Sequence, residues 1–193
     1  MAKKSQEELK QEMFVLDTEI KEKDKQLSLL KKELAFLEVQ DYTFDFIDGK
    51  TKLSELFQDR EDLIVIHNMG KHCAYCTMWA DGFNGVLQHI QDRTSFVVIS
   101  PDSPATQNEF SKSRGWKFSM VSARNNTFIK DMGFKLEDGK YMPGVSFLHK
   151  DDNGKIIRTG KDFFEPGDLY SSPWQLFKFL KKGINNWNPK LSY

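Results

Sequence analysis

The stretch from Leu63 to Ser100 constrains the fold of this chain more than any other. Leu63-Ile64-Val65-Ile66 is a short, mostly β-branched run bounded by the polar turn Gln58-Asp59-Arg60-Glu61-Asp62, the pattern of a buried strand. Met78, Trp79, Phe83, Val86, Leu87 and Ile90 then recur at helical intervals, with Gly82 and Gly85 weakening that helix without abolishing it. Ser95-Phe96-Val97-Val98-Ile99-Ser100 reads as a second buried strand. Strand, helix and strand form a βαβ unit, so the two strands are expected to run parallel in an α/β protein.

The only two cysteines of the chain, Cys73 and Cys76, sit at the junction of that first strand and the helix. They are too few and too close together to staple distant loops, so the C-x-x-C spacing is local and chemical. A helix N-terminus offers unpaired N–H groups and a partial positive charge, which stabilise a thiolate at Cys73 and lower its pKa; Lys71 and His72 are placed to add to this. Zinc needs four ligands. No second C-x-x-C exists, and His67, His72, His89 and His149 do not fall at finger spacing, so neither a metal nor a cofactor is expected. A redox dithiol is the leading reading of the pair, and an inert dithiol is the alternative.

Charge is balanced over the whole chain, with 28 Lys+Arg against 28 Asp+Glu, which speaks against nucleic acid or a membrane surface as partner. The balance hides an uneven distribution: residues 1–39 hold 17 of these charges. That shift divides the chain into an N-terminal helix over 1–39 and a domain over 40–193. Residues 5–38 lack Pro and Gly and carry an apolar ladder at Leu9, Met13, Leu16, Ile20, Leu27, Leu30, Leu34 and Leu37, in steps of four and three with Lys23 in the gap. This is coiled-coil periodicity, and it predicts a homodimer seam. The alternative is that Leu29, Leu30, Leu34, Phe36 and Leu37 pack on their own domain. The N-terminus opens directly into charge and no apolar run is long enough to span a bilayer, so a cytoplasmic protein is expected.

The remaining segments read as a strand at Tyr42–Phe46 with a turn at Asp48-Gly49-Lys50, a helix from Pro104 to Gly115 capped by Ser103, and a strand at Trp116–Val121. A short helix follows at Thr127–Met132. A hairpin then turns at Asp151-Asp152-Asn153-Gly154, and a final helix begins at Ser172-Pro173 and stops at Gly183. Nucleotide-binding, zincin and α/β-hydrolase motifs are missing from the sequence.

The order of a strand, C-x-x-C at a helix start, a βαβ unit, Met142-Pro143 before a hairpin, and a terminal helix resembles the thioredoxin superfamily. The opening from Tyr42 to Phe57 is similar to the peroxiredoxin branch, which includes alkyl hydroperoxide reductases and thiol-specific antioxidant proteins. Taken with Trp79-Ala80-Asp81-Gly82-Phe83-Asn84-Gly85, nearly the whole chain resembles a bacterial thioredoxin-like family of unknown function. The resemblance implies a central mixed sheet flanked by helices, a cis peptide bond before Pro143, and a docking loop at Met142-Pro143 lying against the dithiol. It also places His67 where thioredoxins carry a buried acid that relays protons, a role a neutral histidine can take near pH 7. Ala74 stands where a proline is common. The residues before Cys73, Met69-Gly70-Lys71-His72, lack the Thr or Ser that a peroxiredoxin loop carries. The run from Trp79 to Gly85 is expected either to pack, with Gly82 and Gly85 letting the helix approach the sheet closely, or to contact substrate.

Function is thus expected to be thiol–disulfide exchange with a protein or small-molecule disulfide or thiol. Cys73 would attack and Cys76 would resolve, while Pro143 and His67 assist and His72, Tyr75 and Met142 line the docking face. The competing expectation is a non-enzymatic interaction or redox-sensing module on the same scaffold.

Overall fold

A computed structural model of the chain describes residues 4–193; Met1, Ala2 and Lys3, the start of the charged N-terminal stretch, lie outside it. Eight strands form one mixed sheet: β1 (Leu37–Val39), β2 (Thr43–Phe46), β3 (Gly49–Lys52), β4 (Asp62–His67), β5 (Ser95–Ser100), β6 (Ser119–Ser122), β7 (Gly144–Lys150) and β8 (Ile156–Phe163). Their order across the sheet is β1-β8-β7-β4-β5-β6-β2-β3. Strand β4 is parallel to β5, as the βαβ reading requires, and antiparallel to β7. The helices are α1 (Gln6–Ala35), α2 (Ala74–Gly85), α3 (Leu87–Arg93), α4 (Pro104–Arg114), α5 (Phe128–Asp131) and α6 (Ser172–Phe177), with a 3-10 turn at Leu53–Phe57. This is the central mixed sheet flanked by helices that the resemblance implies, with the long N-terminal helix that the residues predict.

Side-chain alternation along the central strands builds a core on each face of the sheet. Leu63, Val65, Val97 and Ile99 point into one, with Phe44, Phe57, Phe128 and Phe134. Ile66, Phe96, Val98 and Val145 point into the other, where Trp79 and Ala80 of α2 pack with Phe164 and Trp174. The cap of α4 forms as expected: the Ser103 hydroxyl accepts from the Thr106 N–H at 3.2 Å, and Gly115 ends the helix with φ +67°.

Several boundaries differ from the sequence reading. The helix after Cys76 breaks at Val86 into α2 and α3, where the weakening by Gly82 and Gly85 takes effect. The final helix stops at Phe177, and the chain continues in turns to Gly183. Helix α1 ends at Ala35, so Leu37 belongs not to the ladder but to β1, which pairs with β8.

Most of the ladder is left exposed by this chain, although Leu27 lines a cavity with Phe147, Phe163 and Tyr170. Leu29, Leu30, Leu34 and Phe36 are all exposed, Leu34 retaining 88% of its surface, so the expected packing of these residues on their own domain does not occur. Polar groups anchor α1 instead. The buried Arg158 guanidinium of β8 donates to the Ala35 carbonyl at 2.7 Å and to the Met132 carbonyl at 2.9 Å, and Lys31 pairs with Asp162 at 2.6 Å. Among the described residues no helix is long and apolar enough to cross a membrane.

Glycine's missing side chain matters at Gly144, not at Gly82 or Gly85. A Cβ on Gly144 would lie 2.3 Å from the Asp162 carbonyl oxygen and 2.4 Å from Cε1 of Phe134, whereas one on Gly82 or Gly85 meets nothing within 4 Å. The expected close helix–sheet approach at the α2 glycines is therefore not what they provide. Gly144→Ala should destabilise the fold by about 3 kcal/mol through overpacking against backbone. Gly82→Ala should stabilise it by about 0.5–1 kcal/mol, because α2 gains helix propensity at no steric cost. Denaturant unfolding of the two variants checks both signs.

Candidate functional site

The hydrogen-bonded end of β4 delivers the chain to the site. His67 is the last residue of the strand, paired with Gly144 of β7 and Ile99 of β5, and Asn68 still bonds through its N–H to the Ile99 carbonyl. The loop from Asn68 to His72 is then tied at two points. The Asn68 side-chain oxygen accepts from the Gly70 N–H at 2.8 Å, and the Asp102 carboxylate beyond β5 accepts from the Lys71 N–H at 2.7 Å. Gly70 has φ +111°, and any Cβ there would press on the Asp102 carboxyl at 3.0 Å, so this tight loop needs glycine. The Asp102 backbone is held in turn by the Ser122 hydroxyl, which donates to its carbonyl at 2.6 Å.

This loop sets Cys73 at the N-cap of α2. The Cys73 sulfur accepts from the Cys76 N–H at 3.0 Å, and its carbonyl accepts from the Thr77 hydroxyl and N–H. Cys73 is half-buried and Cys76 buried, both as free thiols. Their environments are opposed. The Cys73 thiol is held below the ordinary thiol range, first by the hydrogen bond from the Cys76 thiol and then by the N–H groups of Cys76 and Tyr75, against the upward pull of burial. The Cys76 thiol is pushed far up by its bond to Cys73, by burial and by the charge beside it; the Met69 N–H, 3.5 Å from its sulfur, opposes this weakly. The surroundings thus favour charge on the Cys73 sulfur and the proton on the Cys76 sulfur. Lys71 and His72 are not among the causes, and His72 is exposed.

The other expected site residues are distributed around this pair. Pro143 is buried and precedes Gly144, which pairs with His67, so Met142-Pro143 lies at the same end of the sheet as the dithiol. The Pro143 carbonyl accepts from the Phe164 N–H at 2.9 Å. No peptide bond among the described residues is cis, so the cis bond implied before Pro143 is replaced here by a trans one.

Tyr75, between the cysteines, is engaged within the chain: its hydroxyl donates to the Asn188 side chain and its ring stacks on Trp174, centroids 5.9 Å apart. His67 lies apart from the thiols. Its Nε2 bonds Ser146 at 2.9 Å, and its ring stacks 3.7 Å from Phe134 in the core on the face opposite Trp79. Among the described residues no cluster of three His, Cys, Asp or Glu side chains could hold a metal ion.

Three side chains of the run Trp79–Gly85 are tied into the fold. The Trp79 indole donates to Asp168 at 3.3 Å, and Asp81 pairs with Arg114 and accepts from the Trp116 indole at 2.8 Å. Asn84 accepts from the Lys117 N–H at 2.8 Å. The residue that sequence reading missed is Asp102. Its signal was its place two residues beyond a buried parallel strand, where the loops at carboxyl ends gather.

A family model described as a bacterial protein of unknown function (DUF899) matches residues 2–186. No curated protein matches the chain. Among solved structures, peroxidoxin BcpB from Mycobacterium tuberculosis superposes with a TM-score of 0.56 at 22% identity, covering 72% of this chain and 89% of that one. Reduced Prx3 from Vibrio vulnificus in complex with hydrogen peroxide gives 0.55 at 12% identity, covering 69% and 88%. Peroxiredoxin Q from Xanthomonas campestris gives 0.53 at 14%, covering 63% and 79%. At these identities the likeness shows the fold: this chain has the thioredoxin fold in its peroxiredoxin-like form.

The buried His67 ring gives the fold a pH signature. Burial, with the charges of Lys161 and Arg158 adding to it, depresses its pKa well below the ordinary 6.5. Below pH 6.5 the unfolded chain therefore binds a proton at this residue that the folded chain refuses, so stability falls as pH drops from that point towards the folded pKa. The loss should approach about 1.4 kcal/mol per pH unit from this group. Thermal unfolding between pH 7.5 and 5 should show it, and His67→Gln, which keeps a partner for Ser146, should flatten the slope.

Proposed function

We propose that this chain, which belongs to the bacterial DUF899 family, is a cytoplasmic thiol–disulfide oxidoreductase that works through Cys73 and Cys76. The observation that carries the reading is the asymmetry of the pair: a half-buried, N-capping sulfur held low beside a buried one held high. The Cys73 thiolate attacks one sulfur of a substrate disulfide, and the other substrate sulfur leaves as a thiolate that takes up a proton. A mixed disulfide joins Cys73 to the substrate. Cys76 then gives up its proton and attacks the Cys73 sulfur, releasing the second substrate thiol and leaving a Cys73–Cys76 disulfide. Two electrons pass to the substrate, and an external dithiol returns them. Once Cys73 enters the mixed disulfide its charge is gone, and with it one of the causes that hold the Cys76 proton.

Met142 and Pro143, at the same sheet end, supply the docking face, with His72 exposed beside Cys73. Substrate contact by Tyr75 requires its hydroxyl to leave Asn188. His67, bonded to Ser146, is kept out of the proton transfers in this proposal. The peroxide of the Vibrio vulnificus Prx3 structure is not carried over, since Met69-Gly70-Lys71-His72 offers no hydroxyl to orient it. The protein acts as a homodimer.

Cys73→Ser should abolish dithiol-dependent reduction of a model disulfide, and Cys76→Ser should accumulate a mixed disulfide visible by intact mass. Equal activity of Cys73→Ser and wild type would sink the proposal. Alkylation of Cys73 by iodoacetamide should reach half its maximal rate at a pH below the ordinary thiol value of about 8.5. A dithiol potential outside about −200 to −320 mV would favour a binding or sensing module over an enzyme.

A further inference from the structure

Two exposed apolar surfaces of opposite charge stand on this molecule. The first is the outer half of α1, where Leu9, Met13, Phe14, Leu16 and Ile20 are exposed. Between Ser5 and Ile20 it carries Glu7, Glu8, Glu12, Asp17 and Glu19 against Lys10 alone. Lys4, Lys10 and Lys21 pair with Glu12, Glu7 and Asp17, but these are surface contacts of small worth. The second surface is α6 with the turn after it, where Leu176, Phe179 and Leu180 are 66%, 84% and 59% exposed. Lys178, Lys181 and Lys182 surround them, and no acid occurs from Ser171 to Tyr193.

Neither surface is covered within the chain. Helix α1 is held at its C-terminal end by Arg158 and by the Lys31–Asp162 pair, so its outer half projects as an arm instead of folding back onto α6. The arm is also poorly built to pair with itself along the ladder. In a parallel pair the positions flanking the seam set Glu12 against Asp17 and Glu19 against Asp24 of the other copy. In the antiparallel register that fills every layer, with Leu9 on Leu34, Met13 on Leu30 and Leu16 on Leu27, they set Lys10 against Lys31, Asp17 against Asp24 and Glu12 against Glu33. Both arrangements oppose like charges.

We infer that the acidic, apolar arm of one copy docks on the basic, apolar α6 surface of a second copy. Each copy carries both surfaces, so a two-fold axis satisfies two such contacts at once and closes the assembly as a dimer. Burial of the exposed leucine, methionine and phenylalanine side chains drives the contact, and the lysines facing the glutamates and aspartates select its orientation.

The test uses the full chain and its mass in solution by light scattering. Wild type should be a dimer. Lys178→Glu with Lys181→Glu and Lys182→Glu should shift it to monomer, weakening dimerisation at least 100-fold. Glu12→Lys with Asp17→Lys and Glu19→Lys should do the same, and combining the two sets should restore the dimer. All six positions are exposed, and circular dichroism verifies that the variants fold. Three results would overturn the inference: a monomeric wild type, an α6 variant that dimerises as wild type does, or a combined variant that stays monomeric. Thiol exchange does not enter the readout, so this inference and the redox reading stand or fall separately.

Discussion

Strand β4 is bonded on both sides, by β5 in parallel and β7 in antiparallel, and its side chains feed both cores. A strand so enclosed cannot shift register without moving every apolar group to the wrong face. The point where it ends is therefore as fixed as the sheet itself. Beyond His67 the chain must leave the ladder, satisfy its freed amides and begin a helix within a few residues. Asn68 and Asp102 take up the amides of Gly70 and Lys71, and the Cys73 sulfur takes up that of Cys76. The same hydrogen bond that starts α2 favours charge on Cys73, so the solution to a capping problem adds to the inequality that the thiol–thiol contact and the deeper burial of Cys76 set up.

The parts of this arrangement that sequence revealed are those with a local cause. β-Branched runs bounded by polar turns marked β4 and β5, a helical ladder marked α2, and Ser103-Pro104 marked the start of α4. What sequence concealed depends on partners far along the chain. Leu37-Glu38-Val39 continues the α1 ladder by its spacing, and only β8 makes it a strand. His67 carries no mark of which sheet face it will occupy, since a shift of one residue would reverse it. Asp102 looks like any loop aspartate until the loop before Cys73 lies beside it. The two glycines of α2 suggested close packing, yet the crowded position was Gly144, whose neighbours Phe134 and Asp162 are remote in sequence from α2.

The aromatic wall beside the dithiol shows the same dependence on distant segments. Tyr75 stacks on Trp174, which meets Trp187 edge-on, and Asn188 accepts from the Tyr75 hydroxyl, so the tail reaches back to the residue between the cysteines. The Arg114 guanidinium adds a second tether, donating to the Leu191 carbonyl at 3.0 Å.

The anchors of α1 have a consequence for how the protein is made. Arg158 meets Ala35 across 123 positions of sequence, and Lys31 meets Asp162 across 131. During synthesis the helix therefore leaves the ribosome long before the groups that hold it exist. With Ser5 and Glu8 forming its capping box but no apolar face buried, it must wait as a marginal, fraying helix. The arm emerges well before the strand that holds it and is among the last elements to find its place.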